Sequence, residues 1–383
     1  MELVIAISNP TEKLRISHPD YVLLASIALL TFTGIIFVYS SSFATGIVQF
    51  NNANHFVIRQ TIWVLVGSGL LLLGLSLDYR KLKKYALPLL LISIILLVLV
   101  LTLGETYNGA QRWLSFGTLN FQPSELAKLA VIIYLAAWLS AKAERIRSLQ
   151  HSLVFVLMIG AMSLLLLLQP DLGTTVLILG IAFTMFWAAG AAFIQILTLG
   201  LTGSAAIFLL AIMEGYRLDR LFSFLSAEAE PLGRGFQTLQ SLIALGNGGI
   251  SGLGLGASRG KFFYIPESHT DGIFAIIGEE LGLIATVAIL ILFASLMLRG
   301  YQIAQKSDTQ FGFLLATGIT TWIVLQALLN IGGITRVIPL TGLPIPLLSY
   351  GGSSLLALML AIGILANISR KQTLPLTKNE GTS

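Results

Sequence analysis

The sequence predicts an all-α, polytopic membrane protein with about ten transmembrane helices and one long extracytoplasmic loop. Of its 383 residues, 55% are hydrophobic and only 11% are charged, whereas a soluble domain carries about 25% charged residues. The mean hydropathy is +0.86. The apolar residues fall into separate runs, each close to the roughly 20 residues that a helix needs to cross a bilayer.

Ten of these runs are predicted spans, and together they form one transmembrane domain over residues 21–370. The fifth, sixth and seventh run together, divided only by Gln169-Pro170-Asp171 and by Ala188-Ala189-Gly190. Proline and glycine at such breaks favour the end of one helix and the start of the next. The predicted spans cover residues 21–41, 61–77, 86–103, 125–140, 153–168, 172–188, 192–213, 272–298, 311–331 and 346–368.

The distribution of positive charge predicts that both termini are cytoplasmic. Of the 23 lysines and arginines, fourteen fall in the inner segments of this topology, whereas the short outer loops hold only Arg59, Arg112 and Arg336. Cytoplasmic loops of membrane proteins carry such an excess, so the net charge of +5 implies no nucleic-acid partner. The domain is then flanked by a cytoplasmic segment, 1–20, and a disordered cytoplasmic tail, 371–383.

The residue inventory excludes several kinds of site. There are no cysteines, which excludes disulfides, thiolate metal sites and cysteine nucleophiles. The four histidines form no HExxH motif, so no metal-binding residues are predicted. The long outer loop, about 214–271, contains a possible interfacial helix through about Leu245 and a glycine-rich run, Gly246–Gly260. No GK[ST] follows this run, which favours flexibility and close packing over phosphate binding.

Titratable residues are concentrated at the entrance to the eighth span, within the segment Lys261–Gly282. Such groups at the mouth of a membrane helix are functional candidates. In the predicted topology Glu125, Asp171, Asp271 and Ser349 all lie at outer, N-terminal ends of helices. Helix N-termini favour anions, so the topology predicts an outward-facing site for an anionic, membrane-borne substrate.

Each candidate also has a purely structural interpretation. Asp271 could cap the eighth helix or act as a general base. Glu125 and Lys128 lie three residues apart on one helix face, where they could neutralise each other or line a polar cavity. Arg112 could be solvated or could pair with a pyrophosphate.

The remaining polar positions are interpreted in the same way. Gln169-Pro170-Asp171 favours a capped helix start. His269 is predicted to be structural and not a metal ligand, while Glu279 and Glu280 could be interhelical hydrogen-bonding groups or cavity acids. Prolines and glycines before the tenth span predict broken backbone, which is tolerated at membrane depth where it lines a cavity.

Several stretches together resemble one family. On these stretches the chain resembles the SEDS family (shape, elongation, division and sporulation), which contains FtsW, RodA and SpoVE, and it is most similar to the division-type FtsW branch. The resemblance covers about residues 20–370. The matching stretches are NGAQRW at 108–113, QPSELAK at 122–128, QPDLGT at 169–174, GRGFQTLQS at 233–241, GLGASRGKFFYIPESHTD at 254–271, IGEELG at 277–282 and PLTGLPIPLLSYGGSS at 339–354.

The resemblance implies a peptidoglycan glycosyltransferase that polymerises lipid II outside the cytoplasmic membrane. It implies a class B penicillin-binding transpeptidase as partner, with other divisome or elongasome membrane proteins. The family's essential aspartate corresponds to Asp271. The implied substrate-binding residues are Arg112, Glu125, Lys128, Lys261, Glu267, His269 and Ser349.

The expected reaction is a single inverting displacement, in which Asp271 deprotonates the acceptor hydroxyl. The leaving pyrophosphate needs charge compensation from Arg112, Lys128, Lys261 or a divalent cation, Mg²⁺ or Mn²⁺, whose ligands the sequence does not identify. A lipid II flippase and a non-catalytic scaffold are the alternatives. Two departures from the family pattern stand out: Gly272, where phenylalanine is usual and a looser helix cap is therefore expected, and FLSAEAEPLG at 224–233.

Overall fold

The predicted helical membrane architecture is confirmed in a computed structural model that describes residues 15–16, 18–107, 110–117, 119–142, 146–212 and 236–372. Among the described residues, eight helices are long and apolar enough to cross a membrane, and the shorter apolar segments Leu172–Ala188 and Phe193–Gly203 correspond to the sixth and seventh predicted spans. The helices of the described chain are α1 Tyr21–Phe50, α2 His55–Ser76, α3 Leu82–Leu103, α4 Pro123–Ala141, α5 Leu149–Leu168, α6 Leu172–Ala188, α7 Phe193–Ile212, α8 Phe236–Gly248, α9 Ile273–Gln305, α10 Gln310–Ile334 and α11 Gly352–Arg370.

The centre of the bundle is α10, which packs against α4, α6 and α9. In its most apolar window 72% of residues are buried, against 17% in α2 at the periphery. The predicted interfacial helix before Leu245 corresponds in part to α8. Residues 213–235, and with them the departure at 224–233, lie outside the described residues, as do 1–14 and the tail beyond 372.

Two small sheets were not predicted. Residues 104–122, expected to be a loop, contain the antiparallel strands β2 Glu105–Tyr107, β3 Ala110–Phe116 and β4 Leu119–Phe121. The sequence between β2 and β3 is Asn-Gly, which is the strongest short-range hairpin signal. The strands β1 Arg15–Ile16 and β5 Lys371–Gln372 pair with each other. This pairing brings the two ends of the described domain together.

The last helix begins later than predicted, at Gly352 instead of residue 346. The preceding residues 335–351, here called the proline loop, contain Pro339, Pro344 and Pro346, which cannot donate backbone hydrogen bonds to a helix. The loop is embedded in the protein: Leu348 is fully buried. A Cβ on Gly34 of α1 would lie 2.4 Å from the Leu347 carbonyl oxygen. Non-helical backbone is tolerated at this depth because protein surrounds it.

The glycine-rich run packs backbone to backbone against α9, which confirms the predicted close packing. Helix α9 is interrupted at Gly282, where φ is 72° and ψ is −166°. The carbonyls freed by this break accept hydrogen bonds from the glycine run: Leu253 N–H donates to Glu279 O at 3.0 Å and Gly254 N–H to Glu280 O at 2.9 Å. A Cβ on Gly252 would lie 2.1 Å from Glu280 O, so this approach requires glycine.

Candidate functional site

Asp271 lies two residues before α9, at the end of the loop that begins with Lys261. The cap interpretation of Asp271 is wrong: Gly272 is the N-cap residue and no side chain caps this helix. The half-buried Asp271 carboxylate instead accepts hydrogen bonds at 3.4 Å from Gln237 Nε2 and from Thr270 Oγ1.

The main chain around Asp271 is fixed by buried side chains. Asn330 Nδ2 donates to the Asp271 carbonyl at 2.9 Å, and Ser349 Oγ donates to the Thr270 carbonyl at 2.5 Å. Ser349 also accepts a hydrogen bond at 2.8 Å from Ile345 N–H within the proline loop. It is buried, and its hydroxyl supports the loop that carries Asp271. These contacts give Ser349 a structural role.

His269 is enclosed by aromatic rings. Its ring centroid lies 4.5 Å from that of Phe56 and 5.6 Å from that of Tyr350, and Tyr350 N–H donates to the His269 carbonyl at 2.9 Å. Nδ1 of His269 is buried without a hydrogen-bond partner. Burial lowers the pKa of His269 from 6.5 to about 4. The ring is therefore neutral at physiological pH.

This lowered pKa predicts acid sensitivity of the fold. Because unfolded His269 takes up a proton below pH 6.5 while folded His269 does so only near pH 4, stability is lost as pH falls between these values. The full effect is about 3 kcal/mol. In His269→Phe the apparent unfolding temperature should vary less between pH 7 and pH 5 than in wild type, at one scan rate. Equal pH dependence of the two proteins would contradict the prediction.

Glu125 and Lys128 form a buried ion pair on α4. Lys128 Nζ lies 2.8 Å from Glu125 Oε2, and both side chains are at least 97% buried. The same ammonium donates to Gln326 Oε1 at 3.1 Å and lies 5.0 Å from the centroid of a Trp322 ring. The interpretation that the pair neutralises itself therefore holds in this structure.

Two buried amides on α10 link this pair to Asp271, and sequence reasoning missed both. Gln326 Nε2 donates to the Pro344 carbonyl at 2.8 Å, and Asn330 Nδ2 donates to the adjacent Leu343 carbonyl at 2.7 Å. The available signal was their spacing: they are four residues apart in an otherwise apolar span and therefore share one helix face.

Arg112 lies on β3 and contacts the start of α6. Its guanidinium donates to the carbonyls of Gln169, at 3.2 Å, and Pro170, and lies 3.9 Å from Asp171 Oδ1. Asp171 accepts the capping bond from Thr174 N–H at 3.2 Å, which confirms the predicted capped start. Of the three predicted cations, Arg112 has the most exposed side chain, at 20%, whereas Lys128 and Lys261 are buried.

Lys261 belongs to a separate buried cluster. Its ammonium lies 3.1 Å from Glu280 Oε1 and 3.5 Å from Ser40 Oγ, and it donates to the Gly256 carbonyl. Ser40 also donates to both carboxylate oxygens of Glu280. Glu280 thus joins α9 to α1 and to the loop, which identifies it as an interhelical hydrogen-bonding group.

Glu279 has a similar role. It is buried and accepts a hydrogen bond from Ser258 Oγ and another, at 3.1 Å, from Gly260 N–H. It therefore ties the glycine-rich run to α9. Neither Glu279 nor Glu280 is a carboxylate open to substrate.

Glu267 and Gly272 shape the turn before α9. The Glu267 backbone has φ of 50°, and its carbonyl accepts from Thr270 N–H at 3.0 Å and from Gly272 N–H at 3.2 Å, while its side chain is exposed. A Cβ on Gly272 would lie 2.8 Å from Ile265 Cγ2. The turn is close-packed at Gly272, where a looser cap was expected.

A protein-only metal site is not formed by the described residues. Among them, no three His, Asp or Glu side chains converge as metal ligands. Near the turn, Glu267 and Asp271 are the carboxylates with solvent contact. Mg²⁺ is commonly held by one or two carboxylates together with substrate phosphates, and the exposed Glu267 carboxylate is of the kind that such a site uses.

Comparison with known proteins identifies the family. The family model described as "Cell cycle protein", which covers FtsW, RodA and SpoVE, matches residues 20–374. The chain is 41% identical to stage V sporulation protein E of Bacillus subtilis over 92% of its own length and 98% of that protein. It is 40% identical to a probable peptidoglycan glycosyltransferase FtsW of Trichlorobacter lovleyi, with 93% and 94% covered.

Two solved structures share the fold. One is a chain of a peptidoglycan synthase complex, with a TM-score of 0.77, 31% identity, and coverage of 92% of this chain and 98% of that one. The other is rod shape determining protein RodA of Thermus thermophilus, with a TM-score of 0.69, 27% identity, and coverage of 93% and 98%. The chain is a multi-pass membrane protein and belongs to the FtsW/RodA/SpoVE family.

Proposed function

We propose that this chain is a peptidoglycan glycosyltransferase that polymerises lipid II, with Asp271 as its general base. The observation that carries the proposal is the position of the Asp271 carboxylate. Glu125, Asp171, Glu279 and Glu280 are buried. Asp271 is half-buried, and it lies in the turn before α9, where Asn330 holds its backbone carbonyl.

The proposed reaction uses one positioned base. Asp271 takes the proton of the acceptor's sugar hydroxyl as that oxygen attacks the anomeric carbon of the donor, and the bond to the pyrophosphate breaks on the opposite face. A single displacement inverts the anomeric centre, so an α-linked donor gives a β-linked strand. The chemistry requires a positioned base and no covalent nucleophile.

The leaving pyrophosphate needs positive charge, and Arg112 is the proposed protein cation. Its guanidinium is partly exposed, whereas Lys128 and Lys261 are buried in ion pairs. A fork of N–H donors suits phosphate oxygens. A divalent cation, Mg²⁺ or Mn²⁺, would supply further compensation when bound with substrate, and the exposed carboxylate of Glu267 would hold it together with the substrate phosphates.

Chelation should test this cation requirement. EDTA is expected to lower the polymerisation rate at least about tenfold, because the developing pyrophosphate charge loses its electrostatic partner. Added Mg²⁺ or Mn²⁺ should restore it. EDTA saturated beforehand with Mg²⁺ is the control for effects of the chelator on the protein. An unchanged rate after exhaustive chelation would remove the cation from the proposal.

The site faces the extracytoplasmic side, and both termini are cytoplasmic. The charge bias supports this orientation. Two described ion pairs lie at the opposite helix ends: Asp20 with Arg299, and Arg80 with Asp308. A flippase would need substrate-binding groups at both ends, whereas the candidate residues Arg112, Glu125 and Asp271 all belong to the end predicted to face outward, which favours the polymerase.

The proposed partner is a class B penicillin-binding transpeptidase, with other divisome or elongasome proteins around it. Support comes from the structurally similar chain of a peptidoglycan synthase complex. The decisive experiment incubates purified full-length protein, that transpeptidase, Mg²⁺ and lipid II, and resolves glycan strands by gel. Strand formation establishes the polymerase. Lipid II translocation in liposomes without strand formation would instead establish the flippase.

A further inference from the structure

We propose that Gln326 and Asn330 are positioning residues: they fix Asp271 relative to the Glu125–Lys128 pair without contacting substrate. The inference rests on the proposed function, in which Asp271 is the base. Both side chains leave the same face of α10, one turn apart. Gln326 is 1% exposed and Asn330 is 4% exposed, so neither amide is accessible to a ligand.

Asn330 holds the backbone of the base directly. Its Nδ2 donates to the carbonyls of Asp271, at 2.9 Å, and Leu343, at 2.7 Å. Both acceptors are carbonyl oxygens, which cannot donate, and the orientation of the amide is therefore fixed. Because no side chain caps α9, this contact anchors the residue that carries the base to the centre of the bundle.

Gln326 makes the corresponding contacts one turn earlier. Its Oε1 accepts from Lys128 Nζ at 3.1 Å and from Trp322 Nε1 at 2.8 Å, and its Nε2 donates to the Pro344 carbonyl at 2.8 Å. The two amides therefore hold the consecutive carbonyls of Leu343 and Pro344. A path runs from Lys128 to the backbone carbonyl of Asp271 through hydrogen bonds to these two carbonyls, which the Leu343–Pro344 peptide link joins.

The path ties Asp271 to a fixed point in the bundle. Asp271 lies in the loop before α9, and the Glu125–Lys128 pair that serves as the fixed point belongs to α4. Only α10 and the proline loop join them along this path. A displacement of about 1 Å at a reacting group can cost about 100-fold in rate. Loss of either amide should therefore slow the chemical step more than it weakens substrate binding.

Asn367 offers a matched control at the other end of the bundle. It is also an asparagine with 4% exposure. It also holds backbone: its Nδ2 donates to the Leu75 carbonyl at 2.7 Å, and its Oδ1 accepts from Tyr79 N–H at 3.2 Å. Asn330→Ala and Asn367→Ala remove equivalent contacts, and only the first lies next to Asp271.

The test compares Asn330→Ala, Gln326→Ala and Asn367→Ala in the full-length protein with its transpeptidase partner, Mg²⁺ and lipid II. In Asn330→Ala and Gln326→Ala, kcat should fall about 10- to 100-fold, with KM for lipid II within about twofold of wild type. Asn367→Ala should keep kcat within about twofold despite a similar fall in apparent unfolding temperature. If Asn330→Ala does not fold, Asn330→Ser, too short to reach both carbonyls, replaces it.

Equal kcat losses in the Asn330 and Asn367 variants would overturn the proposal, since the effect would then be general destabilisation. A change confined to KM would also overturn it, because it would indicate substrate contact. The Asp271→Asn variant separates the two levels. If Asp271→Asn is inactive while Asn330→Ala and Gln326→Ala have the wild-type kcat, the positioning role of Gln326 and Asn330 is wrong and the proposed function stands. If Asp271→Asn is fully active, the assignment of Asp271 as the base is wrong.

Discussion

Replacing Asp271 with Asn should lower the rate of lipid II polymerisation at least about 100-fold, within the 10²–10⁴-fold range of a positioned general base. The amide has the same shape but cannot take the acceptor's proton. Because Asp271 does not cap α9, the start of that helix should be unchanged. Gel analysis of glycan strands made by purified protein, with its transpeptidase and Mg²⁺, measures the effect.

Glu105→Gln is the matched control for this substitution. It is another carboxylate-to-amide change, at an exposed position on β2, and polymerisation should continue at the wild-type rate. The unfolding temperatures of the three proteins establish that they are folded. Strand synthesis by Asp271→Asn at the wild-type rate would show that another group accepts the proton.

The second large effect is expected on stability. Lys261→Met should lower the free energy of unfolding by about 3–5 kcal/mol, because it leaves the buried carboxylate of Glu280 without its cation. The Ser40 hydroxyl still donates to Glu280, but a neutral donor does not replace the charge. Unfolding in mixed micelles of increasing denaturing detergent provides the measurement. The double variant Lys261→Met/Glu280→Gln removes both charges and should recover much of the loss.

Lys306→Met is the control, since Lys306 is exposed after the end of α9. Its effect should stay within about 0.5 kcal/mol. The comparison also distinguishes the structural role of Lys261 from the substrate contact that the family resemblance implies. A stable Lys261→Met protein with a raised KM for lipid II would favour substrate contact.

Composition and hydropathy were sufficient to predict the membrane fold, because a helix that crosses a bilayer requires a long apolar run whatever its neighbours are. The cap at Asp171 was also predictable, since it depends on residues next to each other in the chain. The start of α11 was not, because Pro344 and Pro346 allow an apolar run to continue in a non-helical, protein-enclosed loop.

The sequence was sufficient to identify residues of the candidate site, but not to predict which residues they contact. The sequence indicates that Lys261 and Glu280 are unusual, but 19 residues separate them and their 3.1 Å contact exists only in the fold. Asn330 carries no charge and follows no motif, so its two carbonyl partners could not be anticipated. Buried polar contacts between distant segments depend on tertiary packing, which one sequence does not encode locally.

The break at Gly282 separates the first turns of α9 from a segment that is long enough to cross a bilayer alone. As a straight helix the 33 residues of α9 would extend about 50 Å, against a hydrocarbon core of about 30 Å. We therefore expect the turns before Gly282, and Asp271 with them, to lie at the level of the lipid headgroups. In the proposed reaction a pyrophosphate-linked substrate would reach Asp271 by lateral diffusion, with its polyprenyl chain still in the leaflet. The substrate concentration that governs that reaction would then be a surface density.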